Sequence, residues 1–541
     1  MATKKTRQNH PSGPWITARK VVQYTALAAF LVLFVAARGS AWPPSLLNLP
    51  MRLDPLPMLA NLFASRTFLA ASALALFTIL LTLVFGRAWC GWLCPLGTVL
   101  DIFSLKSWRS KRLGASGASP SGDKSGKRFS ASAAAPPEGW RGVKYGLLIV
   151  ILVAALLGNL TLLVLDPLTI LYRSLAVSLW PALDRIITAV ETVLFQVPIL
   201  TGPVSTVDAW LRPLILPAEP VYYRSTILFA TIFLGVIVLN LWAPRFWCRY
   251  LCPLGGLLGL ISKVALFRRQ VSEECTGCTL CTKACPTGTI DPAKGYASDP
   301  SECTMCLDCL EVCPRSRIAF TPRLSPAAWG DYDPGRRQAL TSIGAAVLGV
   351  ALLRVDALTR REPPFLLRPP GARETNPDLI DLTRCIRCAE CIRACPTGGL
   401  QPAVLEAGLG GFATPVLVPR LGYCDFSCNA CGQICPVQAI PPLSLEDKRQ
   451  AVIGKAVIDQ DRCLPWSEHI PCIVCEEMCP ISDKAIQLEE IQATSPDGAQ
   501  ITLQLPHVLR ERCIGCGICE YKCPVNGNAA IRIYIPNETL S

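Results

Sequence analysis

The sequence contains very few histidines. Only His10, His469 and His507 occur among 541 residues, none lies in an apolar stretch, and the haem-attachment pattern C-x-x-C-H is missing. These absences exclude haem c and argue strongly against a haem b held by two histidines inside apolar helices. Charge is scarce as well, since Asp, Glu, Lys and Arg make up only 17% of the chain. A chain that is 51% hydrophobic is too apolar for an ordinary soluble protein.

The composition therefore predicts a membrane part joined to more polar parts. The mean hydropathy is +0.37 and the length makes a single domain improbable. The net charge of +12 does not predict a nucleic-acid partner, because the basic residues crowd beside hydrophobic segments, where they set membrane topology. We expect a membrane protein that does not bind nucleic acid.

Cysteine is abundant, and 24 of the 28 cysteines fall into six motifs of four. Most follow C-x2-C-x2-C-x3-C-P, the bacterial pattern that ligates [4Fe–4S] clusters. The fourth motif has one extra residue in its first gap, and the fifth has a long first gap. The six sets are Cys275, Cys278, Cys281 and Cys285; Cys303, Cys306, Cys309 and Cys313; Cys385, Cys388, Cys391 and Cys395; Cys424, Cys428, Cys431 and Cys435; Cys463, Cys472, Cys475 and Cys479; and Cys513, Cys516, Cys519 and Cys523.

Other uses of cysteine explain this pattern less well. Disulfide scaffolds are small secreted domains and do not repeat one ligand spacing six times. Zinc sites use C-x2-C pairs but rarely three linked cysteines followed by Cys-Pro. The spacing thus predicts six [4Fe–4S] clusters.

The remaining four cysteines form two shorter C-x3-C-P signatures, Cys90 with Cys94 and Cys248 with Cys252. Each follows an apolar span in a similar frame, Arg87-Ala-Trp-Cys and Arg245-Phe-Trp-Cys. Two copies in one frame favour a shared site for an unknown metal, a further cluster or a redox dithiol pair, whereas buried structural thiols are the alternative.

Four apolar spans are expected in the first half of the chain, at about residues 21–37, 68–85, 143–165 and 226–242. The loop 104–142 has eight Lys or Arg and two acidic residues, whereas the segment 166–225 has four Lys or Arg and five acidic residues. The positive-inside rule then places the N-terminus and both C-x3-C-P signatures in the cytoplasm. The Leu-Asp-Pro-Leu segments at Asp54 and Asp166 complete a duplicated two-helix unit.

These patterns divide the chain into four predicted domains. Residues 1–262 form a four-helix membrane domain, and 263–325 form a cytoplasmic two-cluster ferredoxin. Residues 326–384 contain a twin-arginine-like segment, a candidate fifth helix at about 339–353 and a linker. A short buried helix flanked by charges is the alternative there. Residues 385–541 form a four-cluster domain, which a fifth span would place outside the cytoplasm. The fold class is α-helical membrane domain plus α+β ferredoxin-like domains.

Ligand exchange between paired motifs is expected, as in two-cluster ferredoxins, where the fourth cysteine of each motif ligates the other cluster. One cluster would use Cys313 as its fourth ligand and the other Cys285. In the last domain, analogy with four-cluster subunits favours pairing the second motif with the third and the first with the fourth. Sequential pairing is the alternative, because residues 485–505 also resemble a hairpin, as 439–458 do.

The order of these parts resembles a known pair of proteins. Residues 1 to about 325 resemble NapH-type membrane ferredoxins, with four helices, two C-x3-C-P signatures and a two-cluster tail. The remainder resembles NapG- or MauM-type ferredoxins, with a twin-arginine start, Arg368-Pro-Pro-Gly-Ala and four cluster motifs. In that family the two are separate subunits of a quinol dehydrogenase that feeds periplasmic nitrate reductase; here they look fused. The C-x3-C-P signatures also occur in the nitrous-oxide-reductase regulator family and in cytochrome oxidase assembly factors.

The resemblance implies a multi-pass inner-membrane protein that oxidises quinol and passes electrons to a periplasmic reductase. Asp54 and Asp166 are the candidate acceptors of quinol protons, because acids at membrane interfaces are often functional. The alternative is that both only cap short helices. Two other functions compete: a copper reductase or assembly factor for a respiratory enzyme, and electron entry from an external dehydrogenase into the quinone pool.

Overall fold

The computed structural model describes residues 14–39, 42–68, 70–104, 138–216, 221–322, 336–359, 366–372, 383–494, 498 and 500–535. We call residues 14–262 the helical unit, 263–322 the dicluster unit, and 366–372 together with 383–535 the polyferredoxin unit. The basic N-terminal residues and most of the loop 104–142 lie outside the described residues.

The helical unit repeats one sequence of elements twice. A long helix is followed by a short one that starts at Asp-Pro, then by an apolar helix, a π-turn and another short helix that starts at Cys-Pro. The helices are α1 (Pro14–Ala36), α2 (Pro44–Leu47), α3 (Leu49–Arg52), α4 (Pro55–Ser65), α5 (Ala75–Phe85), α6 (Pro95–Ile102), α7 (Val143–Leu156), α8 (Pro167–Ser174), α9 (Trp180–Leu194), α10 (Thr201–Ile215), α11 (Thr226–Trp242) and α12 (Pro253–Ser262). The two π-turns are Trp89–Leu93 and Trp247–Leu251.

Proline and glycine explain the short helices. Proline is favoured at the first helical position because its missing N–H has no partner to lose there, and Pro55, Pro95, Pro167 and Pro253 all start helices. Gly158, at φ +79°, follows the end of α7. The span predicted at 143–165 accordingly has its α-helix only over Val143–Leu156. The span predicted at 68–85 starts as a 3₁₀ helix, Ala70–Leu74, and is α-helical only over Ala75–Phe85.

Among the described residues, α1 alone is both long and apolar enough to cross a membrane. The four-helix membrane domain therefore remains a prediction. The candidate fifth helix exists as α15 (Arg336–Thr359), which packs along α7. Its apolar part is short, covering Leu340–Ala351.

The dicluster unit is a small α+β domain. Strand β1 (Phe267–Val271) pairs antiparallel with β4 (Ile318–Pro322), so that Phe267 faces Pro322. Between the two cysteine motifs, β2 (Ile290–Asp291) and β3 (Ala297–Ser298) form a small hairpin. Each motif contributes one short helix, α13 (Leu280–Ala284) and α14 (Asp308–Glu311), and these two helices pack together.

The polyferredoxin unit has the same character on a larger scale. Its sheets are two-stranded and antiparallel: β5 (Leu400–Pro402) with β6 (Pro415–Leu417), β7 (Lys455–Ile458) with β10 (Ile531–Tyr534), and β8 (Ile486–Thr494) with β9 (Gln500–Val508). Its helices are short: α16 (Glu390–Ala394), α17 (Ala430–Ile434), α18 (Leu445–Gln450), α19 (Leu464–Ser467), α20 (Val474–Glu477) and α21 (Ile518–Lys522). Sheets this small are not stable on their own, so the interior around the cysteines must hold the unit together.

Both iron–sulfur-type units pack against the helical unit, at opposite ends of α1. Arg19 near its start donates a hydrogen bond to the Cys306 carbonyl at 2.8 Å. Near its end, the Phe34 carbonyl accepts one from Arg393 at 3.2 Å. The two contacts are fifteen residues apart in α1, about 22 Å at 1.5 Å per residue.

Candidate functional site

Four small cavities of about 20–30 Å³ lie in the polyferredoxin unit, and each is lined by four cysteines. In every case three cysteines come from one motif and the fourth from its neighbour in sequence. The four sets are Cys385, Cys388, Cys391 and Cys435; Cys395, Cys424, Cys428 and Cys431; Cys463, Cys472, Cys475 and Cys523; and Cys479, Cys513, Cys516 and Cys519. The fourth cysteines are thus exchanged between adjacent motifs.

This arrangement contradicts the nested pairing preferred from the sequence. The first motif pairs with the second and the third with the fourth. The preferred pairing depended on a hairpin at residues 439–458, but that stretch contains α18 and then β7, which pairs with β10 beyond the last motif. The hairpin at 485–505 does exist as β8 and β9.

The lining of these cavities suits [4Fe–4S] clusters. Apolar side chains such as Ile386 and Val437 surround the thiols. Backbone N–H groups donate to sulfur, from Ala456 to Cys513 Sγ at 3.3 Å and from Ala430 to Cys428 Sγ at 3.5 Å; such hydrogen bonds tune cluster potentials. Among the described residues, no group of three or more Cys, His, Asp or Glu side chains is placed to hold a single metal ion.

Burial affects the protonation of these thiols. It raises the pKa of Cys424 to about 12 and that of Cys516 to about 11. Since the thiolate is the metal ligand, loading these sites with iron must release protons.

In the dicluster unit, Cys285 lies within electrostatic reach of Cys303 and Cys306 from the other motif, as the expected exchange of ligands requires. One small core contains Cys281, Cys285, Cys309 and Cys313, so the exchange of Cys285 and Cys313 stays a prediction. None of the protein's 28 cysteines forms a disulfide.

The Arg-Pro-Pro-Gly-Ala segment packs onto the polyferredoxin unit. Arg368 is buried and donates hydrogen bonds to Pro415 O at 2.9 Å and to Thr414 Oγ1 at 3.1 Å. Pro369 and Pro370 line the cavity of the second set of cysteines. The segment therefore closes one cluster cavity.

Asp54 and Asp166, distant in sequence, form a buried pair in the helical unit. Asp54 Oδ1 caps α4 by accepting from Leu56 N at 2.9 Å, and Asp166 Oδ2 caps α8 by accepting from Leu168 N at 3.0 Å. The two carboxyl groups are also hydrogen-bonded to each other; apart from that contact, Asp54 Oδ2 and Asp166 Oδ1 accept no hydrogen bond from the described residues. Capping is therefore real, but it uses only one oxygen of each carboxyl group.

The C-x3-C-P cysteines also come together. Cys90, Cys94, Cys248 and Cys252 are all buried, and each thiol lies within electrostatic reach of the other three. Arg87 and Arg245 are buried beside these thiols, a role that was not predicted from the sequence. Their equivalent positions, three residues before Cys90 and Cys248, were the sequence feature that could have indicated it.

Arg173 and Arg387 were missed in the sequence analysis. Arg173 donates to the Arg387 carbonyl at 3.2 Å and to Val164 O at 3.0 Å, so it links the polyferredoxin unit to the helical unit. Arg387 lies between Cys385 and Cys388 and donates to Thr161 Oγ1 at 3.1 Å. An arginine between two cluster cysteines was the only sequence signal.

These features define a multi-cluster ferredoxin of the [4Fe–4S] type. Family models described as 4Fe-4S binding domains match residues 67–116 and 225–272, and residues 379–401 and 506–527; a model of a 4Fe-4S dicluster domain matches 274–317. No solved structure matches the chain.

Known relatives specify the family. The methylamine utilization ferredoxin-type protein MauM of Methylorubrum extorquens is 38% identical over 216 residues, 38% of this chain and 90% of that protein. The ferredoxin-type protein NapG of Escherichia coli is 36% identical over 196 residues, 35% of this chain and 81% of that protein. The ferredoxin-type protein NapF of Escherichia coli is 28% identical over 165 residues, which are 30% of this chain and 84% of that protein. The chain belongs to the ferredoxin-type family that includes MauM and NapG, and it is an iron–sulfur electron-transfer protein.

Proposed function

We propose that the protein is a membrane-bound quinol dehydrogenase in which a NapH-type membrane part and a NapG-type polyferredoxin are fused. It binds six [4Fe–4S] clusters through the 24 cysteines of the six motifs. Electrons from quinol leave through the polyferredoxin unit to a reductase outside the cytoplasm. The observation that carries this proposal is the buried, hydrogen-bonded pair of Asp54 and Asp166, which can share and pass on a proton.

Exposed apolar side chains support the membrane placement of the helical unit. Leu80 in α5 is 60% exposed, Ile227 in α11 is 81% exposed and Leu348 in α15 is 63% exposed. Large apolar surfaces of this kind are unfavourable in water and favourable in lipid. The basic loop 104–142 then assigns its side, and that of the dicluster unit, to the cytoplasm.

The proposed reaction removes two electrons and two protons from a quinol and forms the quinone. Each [4Fe–4S] cluster accepts one electron at a time. The chain itself must receive the protons, and the two acids are suited to this because their carboxyl groups are buried and hydrogen-bonded to each other, an arrangement that holds a proton between them. A buried acid inside a helical bundle is costly, which favours a functional role.

Replacing either acid tests the proposal. We expect Asp54→Asn and Asp166→Asn each to slow menaquinol oxidation by about 10²-fold, because asparagine caps a helix but accepts no proton. Initial rates are measured in nanodiscs under anaerobic conditions with an artificial acceptor. Iron content must match the wild type, so that lost clusters do not explain the loss of rate.

Asp208→Asn provides the control, since Asp208 is a half-buried surface acid that pairs with Arg212 at 2.7 Å. It should oxidise menaquinol at the wild-type rate. Wild-type rates in both Asp54→Asn and Asp166→Asn would remove the pair from the mechanism and leave capping as its role.

A further inference from the structure

The four C-x3-C-P cysteines occupy equivalent places in the two repeats of the helical unit. Cys90 and Cys248 lie in the π-turns, and Cys94 and Cys252 cap α6 and α12. Every pair among the four thiols interacts electrostatically. The repeats thus assemble one site to which each contributes two thiols.

A backbone donor faces this site from the second repeat, where Gly255 N donates to Cys252 Sγ at 3.2 Å. Cys94 occupies the same N-cap position in the first repeat. The N-termini of α6 and α12, eight and ten residues long, point their positive ends towards the thiols. The cysteines lining the polyferredoxin cavities receive the same kind of N–H···S bond. The site is therefore built to hold sulfur carrying negative charge.

Two arginines add positive charge, and each reaches across to the other repeat. Arg87 interacts with Cys90 of its own repeat and with Cys252 of the second. Arg245 donates to the Cys90 carbonyl at 3.3 Å and interacts with Cys248. Both are buried, and their acidic partners Glu302 and Asp101 lie outside the thiol set.

The number and kind of ligands suit a [4Fe–4S] cluster. The four buried thiols, two from each repeat, equal in number the four cysteines that line each polyferredoxin cavity. A 4Fe-4S binding domain model matches both repeats, although each repeat has only two of these cysteines. We propose that Cys90, Cys94, Cys248 and Cys252 together bind a seventh [4Fe–4S] cluster, shared between the repeats.

The position of this site gives it a role between the two ferredoxin units. On one side, Trp92 Nε1 donates to Met305 O at 2.8 Å, which joins the Cys90–Cys94 turn to the Cys303–Cys306 loop of the dicluster unit. On the other side, Cys90 lies within electrostatic reach of Asp54.

Arg173 continues this line, because it interacts with both Asp166 and Cys388. The helical unit thus connects the dicluster unit with the first polyferredoxin cavity. The contacts of α1 with the dicluster unit and with the polyferredoxin unit are about 22 Å apart along the helix. Electron tunnelling weakens steeply with distance, so a redox site between these contacts would help single electrons to cross. No bond forms or breaks in such a transfer. This inference does not depend on quinol being the electron donor.

Counting iron and acid-labile sulfide tests the proposal on the full-length protein. Seven clusters correspond to about 28 iron and about 28 sulfide ions per chain, whereas six correspond to about 24 of each. Native mass spectrometry of the anaerobically reconstituted wild type separates these masses. A wild type with six clusters and no further iron would overturn the proposal without any variant.

Substitutions test whether the site is shared. We expect Cys90→Ser and Cys248→Ser each to remove about four iron and four sulfide ions, and the double variant to remove no more. A wild type with about 25 iron and about 24 sulfide ions would indicate a single metal ion, and unchanged iron in all variants with two fewer titratable thiols in the double variant would indicate a dithiol; either result contradicts the proposal. Loss of one iron with all sulfide retained in a single variant would instead show conversion of the seventh cluster to a [3Fe–4S] cluster, which supports it. Thr98→Val, a buried neighbour whose hydroxyl donates to Cys94 O at 3.2 Å, should keep the full iron content.

Discussion

At the residue scale, the cysteines could be identified from the sequence but their buried partners could not. The spacing of the 24 motif cysteines predicted cluster sites, and the cavities bring them together in fours in the polyferredoxin unit. Spacing carries no information about Arg173 or Lys144, because their partners lie more than a hundred residues away. Contacts between such distant residues depend on the tertiary fold.

The ion pair between Lys144 and Glu302 gives a prediction at this scale. Lys144 Nζ lies 2.5 Å from Glu302 Oε1, and Arg87 Nη1 lies 3.5 Å from Glu302 Oε2, all three side chains being buried. Glu302→Gln leaves two buried cations facing each other, so we expect a loss of about 3–5 kcal/mol in the free energy of unfolding. Lys144→Met should cost less, because Arg87 still faces Glu302.

Denaturant unfolding of the reconstituted protein measures the free energy of unfolding of both variants. The control is Lys484→Met, which removes the half-exposed partner of Glu476 at 3.2 Å. Because exposed ion pairs contribute little, this variant should change stability by less than about 1 kcal/mol. A greater loss in Lys144→Met than in Glu302→Gln would contradict this description of the buried charges.

At the element scale, local patterns predicted helices and hairpins but not their extent or partners. The α-helix at Thr226–Trp242 matches its predicted span, whereas the span predicted at 143–165 contains an α-helix only to Leu156. Apolar composition continues through Gly158, but the helix does not, since glycine there adopts a positive φ. Similarly, β7 looked like half of a local hairpin, yet it pairs with β10, about seventy residues further on.

The pairing of motifs is a testable property at this scale. Cys385→Ala with Cys435→Ala should remove ligands from one cluster, because both thiols line the same cavity. Cys385→Ala with Cys523→Ala should affect two clusters, because Cys523 lines another cavity. We expect losses of about four and about eight iron ions per chain.

Iron analysis by native mass spectrometry distinguishes the two double variants. The single variants Cys385→Ala, Cys435→Ala and Cys523→Ala are the controls, and each should lose one cluster. Nested pairing predicts the reverse, a loss of one cluster in Cys385→Ala/Cys523→Ala and of two in Cys385→Ala/Cys435→Ala.

At the scale of the whole molecule, the helical unit lies between two ferredoxin units and contacts both. Asn48 and Asn61 donate to backbone carbonyls of the polyferredoxin unit at 2.9 and 3.0 Å, and Arg19 forms a 2.9 Å ion pair with Asp308 of the dicluster unit. The order of domains was predictable from the sequence. The contacts between them were not, because no local pattern encodes which surfaces meet.

This arrangement suggests that the units work as one electron-transfer assembly rather than as separate domains. The buried acid pair and the four C-x3-C-P thiols lie in the helical unit, and clusters are expected on both sides of it. A donor that reacts at the helical unit can therefore reach either set of clusters.

The most direct measurement is freeze-quench electron paramagnetic resonance after anaerobic mixing of the reconstituted protein with menaquinol. Reduction of the clusters within the time of one catalytic turnover is the result that we predict for a quinol dehydrogenase. Clusters that stay oxidised with menaquinol, yet become reduced with dithionite, would contradict quinol oxidation and favour a metal reductase or electron flow in the opposite direction.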